Sequence, residues 1–74
     1  MSEGSSSAID RLVRMANQIA LAFQAQPQDE AVSNIAAHIK SFWTPKMRRD
    51  VIAHLQAGGA DVAPLARAAF ERLH

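Results

Sequence analysis

One dipeptide, Thr44-Pro45, constrains this chain more than any other feature. Proline has no backbone N–H, so Pro45 fits the first position of a helix and disrupts an interior one. It also pushes Thr44 out of helical dihedrals, where a threonine can cap the helix that follows. One helix must therefore end near Trp43 and another begin at Pro45. The corner is also rich in side-chain chemistry. Phe42-Trp43-Thr44-Pro45-Lys46-Met47-Arg48-Arg49 holds the chain's one tryptophan and its densest run of cations.

Two weaker breaks divide the rest. Gln26-Pro27-Gln28-Asp29 is a connector, and Asp29 and Glu30 suit the first turn of a helix. Gly58-Gly59 is a stop, because glycine accepts the left-handed backbone of a helix C-cap. Between these breaks the apolar residues recur at i, i+3, i+4 and i+7. Ile9, Leu12, Val13, Ala16, Ile19, Ala20 and Phe23 mark a first helix over Ala8 to Ala25, with Ser7 as its cap. Val32, Ile35, Ala36, Ile39, Phe42 and Trp43 mark a second. Met47, Val51, Ile52 and Leu55 mark a third, from Pro45 to about Ala57. Leu65, Ala66, Ala69, Phe70 and Leu73 mark a short fourth, with Asp61 as a candidate cap. No segment alternates with period two. The expected fold is all-α: a small antiparallel bundle of three main helices plus a short C-terminal fourth helix. Residues 1–7 read as a flexible polar tail and 8–74 as a single helical domain.

At 74 residues and 49% apolar content, the chain can build one modest core. A core of this size barely offsets an ordering entropy of roughly 1.5 kcal/mol per residue, so small domains lean on staples or partners. With no cysteine, disulfides and thiolate metal or iron–sulfur ligation are excluded within the chain. Close helix packing and a partner are left. No apolar run approaches the roughly 20 residues of a membrane span, and residues 1–7 lack the pattern of a secretory signal. A cytoplasmic location is expected.

The residues give little sign of catalysis. His38, His54 and His74 match no helical pair at i, i+3 or i+4 and no zinc-protease pattern, so no metal site is expected. The serines lie in the tail or on a polar face, without a base to activate them. No strand precedes Gly58-Gly59, which rules out a phosphate loop of the usual kind. Lys46, Arg48 and Arg49 could meet phosphates, and a nucleic-acid-binding bundle is the alternative reading. A net charge of +1, eight Lys and Arg against seven Asp and Glu, favours a protein partner instead. These cations stand at the N-terminal end of their helix, where the dipole disfavours them. Such a placement suits an acidic surface on a partner. Met15 and Leu21 widen the apolar surface of the first helix beyond one stripe. That spare surface also allows self-association of the isolated chain.

Three blocks carry a family resemblance: Leu12-Val13-Arg14-Met15-Ala16-Asn17-Gln18-Ile19-Ala20, Ile35-Ala36-Ala37-His38-Ile39, and Phe42-Trp43-Thr44-Pro45-Lys46-Met47-Arg48. Together they resemble the delta subunit of soluble NAD-dependent formate dehydrogenases. The resemblance runs from about Ile9 to Leu55, and more loosely through Leu73. It implies an accessory subunit, not catalytic by itself and without a cofactor of its own. Its partner would be the large subunit, which carries a molybdenum or tungsten pterin and oxidises formate to carbon dioxide. Iron–sulfur clusters and an FMN-bearing subunit of the same complex would pass electrons to NAD. Lys46 stands where that family often has arginine, so a charge is kept but not a planar bidentate contact. The expected docking residues are Trp43, Lys46, Met47, Arg48 and Arg49, with Met15, Asn17 and His38 on adjoining faces. Phe42 and Trp43 are expected to close the end of the core, leaving the cations to the partner.

Overall fold

The computed structural model of the chain describes residues 3–73, with side chains from residue 8 onward. Its elements are α1 (Glu3–Phe23), α2 (Gln28–Phe42), α3 (Pro45–Gln56) and α4 (Pro64–Glu71), and no strand occurs among the described residues. α1 begins at Glu3 instead of Ala8, which takes in most of the expected tail. Ser7 consequently lies inside the helix and is not its cap.

The corner folds as its residues dictate. Trp43 ends α2 in an extended conformation (φ −90°, ψ 143°), and its N–H still donates to Ile39 O at 2.8 Å. Thr44 is the N-cap of α3, its Oγ1 accepting from Met47 N at 3.2 Å, with Pro45 in the first turn. This satisfies one of the donors that a helix start leaves without an intrahelical partner. At the other end of α3, Gly59 N donates to His54 O at 2.8 Å and Gly58 N to Leu55 O at 3.1 Å. That is the bond pattern of a Schellman turn, which needs a positive φ at the residue after the cap; Gly58 supplies it at φ +125°, and Gly59 follows at φ +66°. Asp61 does not cap α4. It sits at φ +67° in the loop, and Ala63 precedes Pro64 as the N-cap residue.

The core runs through all four helices. Val13, Ala16 and Ala20 come from α1, Val32, Ile35 and Ile39 from α2, Val51 from α3, and Ala66, Ala69 and Phe70 from α4. Phe70, Ile35, Ile39 and Val51 are the largest side chains removed from solvent completely. Among the described residues no polar or charged side chain is buried. α4 is not an appendage to three larger helices. It packs on α1, α2 and α3, whereas α2 and α3 touch each other only marginally. Its alanines allow this, because Ala66 and Ala69 let neighbouring backbones come close while Phe70 fills the space between them.

Trp43 and Phe42 part company at the corner. Trp43 is 5% exposed and meets Phe70 edge to face. Phe42 is 73% exposed and does not close the core. The reason is local. Phe42 is the last residue of α2 and stays on the helical face of His38, one turn earlier. Trp43 has left the helix, and its extended backbone turns the indole inward.

Candidate docking groove

Phe42 borders a groove of about 480 Å³ that is open to solvent. α1 forms one wall through Met15, Gln18, Ile19 and Ala22, which recur every three or four residues along one strip. α2 forms the other through His38 and Phe42, whose rings lie 4.7 Å apart and inclined at 39°. Trp43 and Met47 complete the lining where α2 gives way to α3. The lining is mostly apolar. Met15, Ile19 and Met47 are half-buried and Phe42 projects, so the groove offers both a depression and a raised edge.

The expected docking residues divide among three places. Met15, His38, Trp43 and Met47 converge on this groove, although Trp43 shows little surface there. Lys46 and Arg49 are exposed on α3, the helix that supplies Met47 to the groove. Lys46 Nζ lies 2.8 Å from Asp50 Oδ2, the one ion pair among the described residues. An exposed i, i+4 pair of this kind contributes only a few tenths of a kcal/mol, so it leaves Lys46 available to a partner. Arg48 is half-buried, and its Nε finds no acceptor among the described residues.

Asn17 is elsewhere, on a different face of α1. Its Nδ2 donates to Asp61 O at 2.7 Å and its Oδ1 accepts from Ala63 N at 2.9 Å. Both bonds cross more than forty positions of sequence. Asn17 therefore ties α1 to the loop before α4, and its amide is used within the chain. His54 supports the same loop: Nε2 donates to Ala60 O at 2.8 Å, the direction fixed because a carbonyl only accepts. Among the described residues no three His, Asp or Glu side chains are placed to hold a metal ion. His74 lies outside the described residues. No helix among them is long and apolar enough to cross a membrane.

Sequence spacing alone does not assign Ile19, Ala22 or Phe42 to this surface. Ile19 and Phe42 belong to apolar stripes that also supply the core, and periodicity does not separate the middle of a stripe from its edge. The surplus apolar width at Met15 is the signal that points to it.

Four helices about an apolar core, with an apolar groove open on one side, define a small helical module with a surface suited to being covered. The chain belongs to the FdsD family, the delta subunit of NADH-dependent formate dehydrogenase, whose family model matches residues 11–70. That span takes in every groove residue and the whole Thr44-Pro45 corner. Comparisons with curated proteins and with solved structures give no match. Membership of this family makes the chain a small subunit of a multisubunit formate dehydrogenase.

Proposed function

We propose that the chain is a non-catalytic accessory subunit that docks on the large, pterin-bearing subunit of formate dehydrogenase and supports its assembly, cofactor insertion or stability. The observation that carries this reading is the family match, which spans an open apolar groove. A groove of this composition loses its solvent cost when a partner covers it. The chain has no cysteine to offer a cluster. In this reading the molybdenum or tungsten pterin, the iron–sulfur clusters, FMN and the NAD site belong to the other subunits. The complex works in the cytoplasm, and the chain meets neither membrane nor nucleic acid.

The test is to produce the other subunits with and without this chain. Loss of metal content, complex integrity or formate oxidation in its absence is the expected result. A fully assembled, fully metallated and fully active complex lacking the chain overturns the reading.

A further inference from the structure

We draw no further inference here: the strongest candidate, the open apolar groove between α1 and α2 lined by Met15, Ile19, His38, Phe42 and Met47, carries none, because nothing in the structure shows what covers it.

Discussion

The indole of Trp43 meets the ring of Phe70 edge to face, with centroids 5.5 Å apart and planes inclined at 62°. This contact joins the residue that ends α2 to the last turn of α4, and it sits where α2 and α3 have little contact of their own. Phe70 is wholly buried. Truncating such a ring costs about 3–5 kcal/mol, a large share of the ~5–15 kcal/mol that stabilises a typical domain. Phe70→Ala should therefore abolish cooperative thermal unfolding or lower its midpoint steeply, read by far-UV circular dichroism. Trp43 is the sole tryptophan, so its emission reports on the same contact. A Phe70→Ala protein that melts with the parent would show that the contact carries no stability.

Asn17 offers a separate test, because its two bonds hold the loop before α4. Asn17→Ala removes the partner of Ala63 N, which is part-buried, and of Asp61 O, which is exposed, and a bond of this kind contributes about 0.5–1.5 kcal/mol. The urea midpoint should fall, while binding to the rest of the complex changes only in proportion to the unfolded fraction. A variant of unchanged stability that fails to join the complex would show that Asn17 acts in docking.

Gly59 is constrained twice. Its φ of +66° is unfavourable for a residue with a side chain, and an added Cβ would press on Arg67 Nη2 and on Leu55 Cδ2. Gly59→Ala should cost about 1–2 kcal/mol for the backbone alone. Moving Arg67 aside also surrenders its bond to Gly58 O. In an Arg67→Ala background the second cost is gone, so the two substitutions should be less than additive in urea titrations. Strict additivity would mean that Arg67 yields without loss.

Phe42 should behave in the opposite way to Phe70. With 73% of its surface exposed, Phe42→Ala should shift stability by no more than about 0.5 kcal/mol. Its effect should appear in association, measured by retention on the purified partner subunits. Equal retention with the parent chain would remove Phe42 from the interface.

The breaks in the chain were legible because each rests on one residue's covalent geometry. Thr44 caps, Pro45 opens and Gly58-Gly59 closes α3 as their backbones require. The burial of Trp43 followed from its place at the end of a stripe. Phe42 was not legible, since its periodic position is compatible with the core and exposure is decided by where neighbouring helices lie. Asn17 was opaque for a related reason. Its partners Asp61 and Ala63 are distant in sequence, and an asparagine on a polar face looks the same with or without them. The weight carried by α4 was hidden as well, because a short helix rich in alanine gives a faint periodic signal, and its value lies in how closely its neighbours approach.

The dependence of the core on α4 also fixes an order in time. Synthesis runs from α1 to α4, and Ile35, Ile39 and Trp43 lack their covering surface until Phe70 has emerged from the ribosome. Until then the apolar side chains of α2 that α4 covers in the folded chain stay open to other contacts. The helix that completes the structure is the last of the four to be made, so the groove beside Trp43 takes its final shape only once translation has passed α4.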